Sequence, residues 1–471
     1  MKRGKESKNL TEGALIPQIL LFTLPLIATA ILQLLFNTAD MIVVGRWGGD
    51  TPEACANSLA AVGSCGSLIT MLVNLFFGIS AGAGVCVAYD IGAGNEEDVK
   101  KTVHTSVLTA LLSGAFVTVM GILVSRPALA LMGTDASILD EATLYITAYF
   151  CGMPANMLYN FCASILRAKG DSARPLIFLT VAGVANVLLN LLTVIVFRWG
   201  ALGVGVATAA SQWISCILVV IYMLRMEGPC RIELGLLRFD LSKLRRILYN
   251  GIPAGVQSLL FSVSNIMVQA SVNSFGPVVV AGNTAAGNLD AYIYATQNSL
   301  FLATQTFVAQ HNGAQKFQRM KKVVLCCSGL VVVVGLLVGG VIYLLRDPLL
   351  RIYAPDNQSV VDAGAIRLTV MCATYFLCGL MEVGSGVLKG LGRAISSTLI
   401  TLFGGCGLRI VWILTVFAYV KATADPTTAL FTLYLSYPVT WLMTAPVLFG
   451  FGAFLIHRAI KGEKEKAKLL L

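Results

Sequence analysis

The chain has 471 residues, of which 56% are apolar and only 12% are charged, and its formal net charge is +10. Soluble proteins carry about 25% charged residues, so this chain has too little polar surface to cover a soluble domain. The composition also excludes a disordered chain, a collagen and a small disulfide scaffold. A basic excess is typical of the cytoplasmic loops of membrane proteins, so it gives no reason to expect nucleic acid as a partner.

Apolar segments recur from one end of the chain to the other, and each is long enough for a transmembrane α-helix of about 20 residues. The sequence therefore predicts an all-α, polytopic membrane protein with twelve transmembrane helices. The predicted spans cover residues 16–44, 58–88, 103–124, 142–165, 175–197, 201–224, 250–274, 278–309, 322–345, 365–388, 395–420 and 428–456. Proline lies inside four of them, where neighbouring helices can satisfy the freed carbonyl groups. These prolines are Pro25, Pro154, Pro253 and Pro438.

The distribution of basic residues predicts the orientation of the chain. If the N-terminus is cytoplasmic, the inside segments hold 26 of the 34 Lys and Arg residues, and the outside segments hold 7, including Arg367. The remaining basic residue, Arg409, lies within a predicted span. This positive-inside excess predicts a multi-pass protein of the plasma membrane with both termini in the cytoplasm.

The sequence contains an internal repeat. Residues 87–93 align with residues 308–314 at an offset of 221, and residues 166–170 align with residues 388–392 at an offset of 222. Each half holds six predicted spans, an even number, so both halves insert in the same orientation. Parallel repeats of this kind are related by a pseudo-two-fold axis along the membrane normal, and their substrate sites lie between the halves.

The repeat predicts two six-helix lobes joined by a linker. The N-lobe covers residues 14–224 with helices one to six, and the C-lobe covers residues 250–457 with helices seven to twelve. Residues 225–249 form a cytoplasmic linker with six basic residues. We expect these charges to be solvated and to follow the positive-inside rule, with a specific lipid site as the alternative.

A polar stripe in the first predicted helix marks a candidate site. Gln33, Asn37 and Asp40 have the spacing i, i+4, i+7, which places them on one helix face. A charge inside hydrocarbon costs at least about 2.5–3.5 kcal/mol, so Asp40 is a functional candidate by default. Polar residues of the fifth and sixth helices reach similar depths, namely Asn186, Asn190 and Thr208. One carboxylate with several neutral oxygens suits a monovalent cation or a proton, and interhelical hydrogen bonding is the structural alternative.

The second half does not repeat this chemistry. Asn265 aligns with Asn37 at an offset of 228 when the two prolines are matched, and Val268 then takes the place of Asp40. Asn265 belongs to a polar stripe on the seventh helix that continues to Gln269. We therefore expect the two halves to carry different polar sites.

Three ionisable residues lie within the spans of the second half. They are Asp290 in the eighth helix, Glu382 in the tenth and Arg409 near the middle of the eleventh. A buried ion pair of Arg409 with Glu382 or Asp290 is the structural interpretation, and a coupling or substrate role is the functional one. The spacing leaves both open. The candidate residues of the substrate cavity are Gln33, Asn37, Asn265, Gln269, Asp290, Glu382 and Arg409.

Several motifs, taken in order, resemble the multidrug and toxic compound extrusion (MATE) family of bacterial transporters. They are Pro25 with Asp40 in the first helix, and the segments 166–171, 205–212, 309–314 and 387–392. The resemblance covers residues 14 to 456, with twelve spans in two halves of six helices. It implies a secondary active transporter that exports amphipathic, often cationic organic compounds in antiport with sodium or protons. It also implies alternating access, with the first helix bending near Pro25.

The resemblance also assigns the coupling residues. In many bacterial members an ion site lies in the first half, and its positions match Asp40, Asn186, Asn190 and Thr208 here. Asn190 departs from the pattern, because many relatives carry Asp there, and this favours protons over sodium. Another branch uses second-half carboxylates at positions that match Phe261 and Cys378 here, so that site is absent. Glu382 lies one turn from Cys378 and is a candidate substitute.

Other functions fit the sequence less well. A flippase of lipid-linked precursors, from the same superfamily, is the alternative, but such proteins line their cavity with basic residues and this chain has only Arg409 at mid-membrane. No catalytic motif indicates an enzyme. We expect small organic substrates and membrane lipids as partners, a monomer, no nucleic acid, no cofactor, and no metal beyond a coupling Na⁺ at Asp40.

Overall fold

The structure of the chain is a computed structural model that describes residues 10–355 and 357–469, with side chains as far as residue 462. These residues form fourteen helices and no strand. The first seven are α1 (Leu15–Trp47), α2 (Pro52–Gly92), α3 (Glu96–Leu131), α4 (Ala136–Cys151), α5 (Met153–Ala168), α6 (Ala173–Val196) and α7 (Gly200–Arg225). The next seven are α8 (Leu241–Asn273), α9 (Pro277–Gly313), α10 (Phe317–Leu344), α11 (Arg346–Tyr353), α12 (Gln358–Gly390), α13 (Ala394–Thr423) and α14 (Pro426–Leu469).

Ten of these helices are long and apolar enough to cross a membrane. Of the others, α9 has 37 residues and a more polar sequence, while α4 and α5 have 16 residues each and follow one another directly. If α4 and α5 together count as one segment, twelve helical segments are long enough to cross a membrane. Helix α11, with only 8 residues, is too short to be counted. The predicted all-α, multi-pass fold is confirmed.

The fourth predicted span is two helices instead of one. The break lies at Gly152, where an added Cβ would overlap Gln212 and the backbone of Ala209 on α7. Pro154 is therefore not inside a helix, as the span prediction had it, but in the first turn of α5. A proline there removes no hydrogen bond, because the first N–H groups of a helix have no partner within it.

The described chain forms two compact units. The N-terminal unit contains Leu24–Gly255, and the C-terminal unit contains Leu10–Thr23 together with the chain from Val256 onward. The division falls within α1 and α8, next to Pro25 and Pro253. The beginning of each of these helices thus packs in one unit and the remainder in the other.

Each unit has its own apolar core. In the N-terminal unit it lies chiefly between α2, α4, α5 and α7. In the C-terminal unit it lies chiefly between α9, α12 and α14. Small residues permit the closest helix contacts, as is usual in membranes: Gly78 and Gly82 of α2 approach the backbone of Gly255 and Gly251 on α8, and a Cβ at any of the four would overlap the opposite backbone.

The segment predicted as a solvated linker, residues 225–249, is partly helical and partly buried. Helix α8 begins at Leu241, inside this segment. Lys243 and Arg246 of its first turns bind the two carboxylate oxygens of Asp90 at 3.3 and 2.8 Å, and the Asp90 side chain is 3% exposed. The difference has a physical cause, since a carboxylate buried at the end of α2 needs cationic partners and these two basic residues provide them.

Candidate functional site

The N-terminal unit brings three of the predicted coupling residues together. Asn190 Nδ2 donates a hydrogen bond of 2.5 Å to Asp40 Oδ1 and a longer one of 3.4 Å to Asn186 Oδ1. Asn186 and Asn190 are buried, and Asp40 is partly buried. The three side chains form one hydrogen-bonded group between α1 and α6, which we call the Asp40 cluster.

Close packing of α1 against α6 positions this cluster. Phe36 lies against Gly183 so closely that a Cβ on the glycine would overlap the ring. Asp40 follows Phe36 by four residues, about one helical turn, and Asn190 follows Gly183 by seven, about two turns. The contact therefore sets the register in which the carboxylate meets the amide.

A π-helical segment follows the cluster directly. Residues Leu191–Val196 of α6 are wound as a π-helix, a rare form that is frequent at functional sites. Thr193 in this segment donates to the carbonyl oxygen of Gly203 on α7 at 3.0 Å and to that of Leu189 at 2.9 Å. These bonds tie the irregular segment to the neighbouring helix.

The Asp40 cluster has spare capacity for a cation. Among the described residues, no Lys or Arg forms an ion pair with Asp40, and Asn190 Oδ1 is buried without a hydrogen-bond partner. Carboxylate and amide oxygens are the ligands that hard cations prefer, and a carboxylate also accepts a proton. Within the described part of the chain, no group of three or more His, Cys, Asp and Glu could hold a metal ion.

The other predicted residues of this unit lie outside the hydrogen-bonded group. Thr208 on α7 is partly buried, and its carbonyl oxygen accepts a bond of 2.8 Å from the Ser211 hydroxyl. Gln33 and Asn37 are exposed on α1. Near Pro25 in α1, the Thr29 hydroxyl donates to the Pro25 carbonyl oxygen at 2.7 Å, a type of bond that often bends helices.

In the C-terminal unit, Asp290 pairs with a residue that the sequence interpretation placed outside the membrane. Arg367 of α12 donates from Nε and Nη2 to Asp290 Oδ2 at 2.9 and 2.7 Å. Its Nη1 donates to Asn283 Oδ1 at 2.6 Å, and the Tyr434 hydroxyl donates to the same oxygen at 3.0 Å. Asp290 is thus paired with Arg367, and the alternative pair of Asp290 with Arg409 is absent among the described residues.

Helix α12 explains why Arg367 was missed. The helix begins at Gln358, seven residues before the predicted span, and Arg367 lies nine residues into it. Arg367 also lies within the predicted span 365–388, but the count of basic residues assigned it to the outside segment. A signal was present in the sequence, because Met371, Tyr375 and Cys378 continue from Arg367 at spacings of four, four and three. This spacing marks one helix face, and all three residues are buried.

Gln269 joins the same polar network. Its Oε1 accepts a bond of 3.1 Å from Asn283 Nδ2, and its Nε2 donates to Asn273 Oδ1 at 2.8 Å. Asn283 thus connects the polar stripe of α8 to the Arg367–Asp290 pair on α9 and α12.

Arg409 has aromatic and amide neighbours instead of an acidic one. Its side chain is 2% exposed, its guanidinium carbon lies 4.1 Å from the centre of the Tyr437 ring, and Nη1 donates to Asn265 Oδ1 at 3.4 Å. Arg409 Nε is buried and has no hydrogen-bond partner. Glu382, also buried, interacts electrostatically with Lys389 instead. Within the described residues, Arg409 forms no ion pair with Glu382 or Asp290, so the predicted pair is absent.

Packing shows that Asn265 takes the position that Asp40 has in the N-terminal unit. Phe261 on α8 contacts Gly405 on α13, and a Cβ on that glycine would lie 3.2 Å from the ring. Asn265 follows Phe261 by four residues, as Asp40 follows Phe36. The alignment on the two prolines, which put Val268 in the place of Asp40, is therefore shifted by three residues from the packing register.

The charged residues of the two sites have opposite signs. In the N-terminal unit the carboxylate of Asp40 on α1 meets an amide of α6. In the C-terminal unit an amide of α8, Asn265, meets the guanidinium of Arg409 on α13. Arg409 lies between two π-helical segments, Leu402–Gly407 and Ile413–Phe417, and the second begins 222 residues after the π segment of α6. The repeat has kept the irregular backbone and changed the charge.

The MatE family model matches residues 25–192 and 253–415, which include the π-helical segment Leu402–Gly407 and most of the polar residues described above. The chain belongs to the MatE family. The family consists of MATE transporters, so this MatE protein is a multi-pass membrane transporter and not an enzyme.

Curated relatives are similar over most of their length. The probable multidrug resistance protein YoeA of Bacillus subtilis (strain 168) is 26% identical over 441 residues, which is 92% of each chain. The probable multidrug resistance protein NorM of Thermotoga maritima is 22% identical over 82% of each chain. The FAD transporter of Shewanella oneidensis is 23% identical over 78% of this chain and 80% of its own.

Solved structures show the same fold. An outward-facing multidrug resistance MATE transporter of the MOP superfamily superposes with a TM-score of 0.87 at 20% identity, covering 97% of this chain and 100% of the other. A MOP superfamily transporter from Pyrococcus furiosus, described as having a binding pocket of reverse polarity, gives 0.87 at 20% identity, covering 98% and 99%. At this identity the likeness establishes the fold alone.

Proposed function

We propose that this MatE protein is a secondary active efflux transporter that exports amphipathic, often cationic organic compounds in antiport with protons or sodium. The observation that carries the proposal is the Asp40 cluster, a partly buried carboxylate with an amide donor and no basic partner among the described residues. A carboxylate inside a membrane helix is costly unless it serves a function. Several relatives named as multidrug resistance proteins support the substrate class.

The cluster can couple an ion to transport because its charge changes when the ion binds. Asp40 Oδ1 accepts a hydrogen bond from Asn190 when the carboxylate is ionised. When Asp40 is protonated, its hydroxyl can donate to the unpartnered Asn190 Oδ1 after the amide turns over. The two protonation states thus use the same pair of residues in different arrangements. Coupling requires that the ion and the organic substrate favour different conformations of the transporter.

The donor set favours a proton over sodium as the coupling ion. Sodium would need several oxygens at once, and one oxygen of Asp40 already accepts from Asn190. Asn186 Oδ1 also accepts from the same amide, although at a longer distance of 3.4 Å. A proton needs one carboxylate oxygen and one acceptor. Sodium remains the second coupling ion to be tested, with Asp40 as its charged ligand.

We place both termini in the cytoplasm and the protein in the plasma membrane as a monomer. The 26 basic residues in inside segments against 7 in outside segments support this orientation. Contacts within the C-terminal unit also support it. Lys316, between α9 and α10, binds Glu12 at 3.1 Å, and Arg319 donates to the Gly13 carbonyl oxygen. The N-terminal segment therefore lies on the same side as a predicted cytoplasmic connection.

Efflux from reconstituted vesicles tests the function. Vesicles loaded with ethidium, a fluorescent organic cation, receive a pH gradient, a sodium gradient or neither, and dye release is measured. We expect release to follow the pH gradient and to be much slower without a gradient. Release that follows only sodium would replace the proton as the coupling ion. Equal release in all three conditions would contradict antiport.

A further inference from the structure

Arg409 is a fully buried charge without a counter-ion. Its side chain is 2% exposed, and among the described residues it has no acidic group within ion-pair distance. Its Nε is buried without an acceptor, and its bond to Asn265 is long at 3.4 Å. The ring of Tyr437 at 4.1 Å compensates part of the charge through a cation–π interaction. A buried guanidinium with five donors is still short of acceptors in this arrangement.

The nearby carboxylates do not pair with Arg409. Asp290 accepts two hydrogen bonds from Arg367, which saturates its Oδ2. Glu382 lies two turns before Lys389 on α12 and forms no ion pair among the described residues. Arg409 is therefore left without an acidic partner in the part of the chain that the structure describes.

The surroundings of Arg409 indicate what kind of anion would neutralise it. Trp441 lies next to Tyr437 and Tyr375, with ring centres 5.7 and 5.3 Å apart, and all three residues are buried. Asn265, the hydrogen-bond partner of Arg409, is exposed. An anionic group that displaces the Asn265 amide would reach the guanidinium directly, and a planar ring attached to it would lie beside aromatic side chains.

We propose that Arg409 and its aromatic neighbours bind the carboxylate or phosphate group of an aromatic organic anion. Guanidinium groups match such oxyanions with paired hydrogen bonds, and Arg409 Nε has no acceptor within the protein among the described residues. This substrate class goes beyond the cationic compounds of the proposed function. The site lies within the C-terminal unit and needs neither the Asp40 cluster nor an ion gradient to bind its ligand.

Two flavins that differ only in a phosphate test the proposal. Riboflavin is neutral, and riboflavin 5′-phosphate carries the oxyanion on the same ring system, so purified full-length protein is titrated with each and flavin fluorescence is measured. We expect riboflavin 5′-phosphate to bind about tenfold tighter than riboflavin, or more, because a hydrogen bond between charged groups contributes about this much to affinity. Arg409→Gln should bind both flavins equally weakly, whereas Arg409→Lys should keep part of the preference. Arg351→Gln, an exposed arginine of the same unit, is the matched control and should bind as the wild type does.

Thermal unfolding separates a binding role from a structural one. If Arg409 serves to bind an anion, its unpaired charge destabilises the ligand-free protein, so Arg409→Met should raise the Tm. The same variant should abolish the rise in Tm that riboflavin 5′-phosphate causes in the wild type. A lower Tm in Arg409→Met, with no effect of the phosphate on the wild type, would overturn the proposal. A lipid source is tested in nanodiscs: an Arg409-dependent rise in Tm with phosphatidic acid, but not with riboflavin 5′-phosphate, would also overturn it in favour of a lipid phosphate. Flavin binding is independent of vesicle efflux, so each proposal can fail alone.

Discussion

Arg367 binds a single oxygen of Asp290 through two nitrogen atoms, at 2.9 and 2.7 Å, and this pair connects α12 to α9 inside the C-terminal unit. The Asp290 side chain is buried and that of Arg367 is partly buried, with 8% and 13% of their surfaces exposed. Asn283 accepts a third bond from the same guanidinium. Arg367 is therefore the hydrogen-bond donor to both Asp290 and Asn283. Removing either Arg367 or Asp290 would leave the charge of the other inside the protein without compensation.

Removing either partner of this pair should destabilise the protein strongly. We expect Arg367→Met to lower the free energy of unfolding by about 3–5 kcal/mol, because Asp290 would remain as an unpaired buried charge. The double variant Arg367→Met with Asp290→Leu should recover most of the loss, since apolar side chains can replace a buried ion pair. Thermal unfolding of the detergent-solubilised protein measures the order of the three variants. A double variant less stable than Arg367→Met would contradict a compensating pair.

The sequence predicted the helices because hydropathy depends on long segments. Twelve helical segments of membrane-spanning length follow from stretches of about 20 apolar residues, and single polar residues hardly change such averages. Asp40 and Asn190 were also grouped together in the sequence analysis, because they reach similar depths on different helices, and the structure brings their side chains into contact. Their hydrogen bond of 2.5 Å required only that both side chains face each other.

The features that the sequence did not predict depend on contacts between helices. Gly152 at the break lies against Gln212 and Ala209 on α7, and the residues around the break do not indicate those neighbours. The register of α8 is set by Phe261 against Gly405, whereas the sequence alignment matched Pro25 with Pro253. Tertiary packing decides both, and a single sequence without related ones contains little information about it.

The ion pairs between Asp90 of α2 and the first turns of α8 should protect the loop before α8 from proteolysis. In Asp90→Asn the charge that binds Lys243 and Arg246 is lost, and we expect a loss of about 1–3 kcal/mol with faster cleavage by trypsin after Arg231 and Arg238. Both sites are exposed in the loop before α8. Gel analysis of a proteolysis time course gives the rates.

A surface carboxylate serves as the control for this variant. Glu97 binds Lys101 at 2.8 Å on the exposed side of α3, and its side chain is 79% exposed. Glu97→Gln should leave trypsin cleavage unchanged, because exposed ion pairs contribute little. Equal cleavage of Asp90→Asn and Glu97→Gln would show that Asp90 does not hold α8 in place.

Gly183, which packs against Phe36 and positions the Asp40 cluster, should tolerate no side chain. Gly183→Ala would gain up to about 1 kcal/mol from helix propensity, but overlap with Phe36 should cost about 1–3 kcal/mol and move α1 away from α6. We expect a lower Tm and weaker efflux, both partly restored by adding Phe36→Leu. Gly63→Ala on α2, where an added Cβ meets no atom within 4 Å, is the matched control and should not lower the Tm. Unchanged efflux in Gly183→Ala would show that the α1–α6 contact does not position Asp40.

Replacing Asp40 by asparagine should separate coupling from folding. Asn is nearly isosteric with Asp and can still hydrogen-bond to Asn190, so Asp40→Asn should keep a Tm near that of the wild type. It cannot bind or release a proton, so efflux of ethidium driven by a pH gradient should fall at least tenfold. Asp135→Asn is the control, because Asn caps a helix as well as Asp does, and Asp135 is an exposed cap of α4 that should leave efflux unchanged. Full gradient-driven efflux in Asp40→Asn would remove this residue from the mechanism and direct the search for the coupling group to Glu382, the other buried acid that forms no ion pair among the described residues.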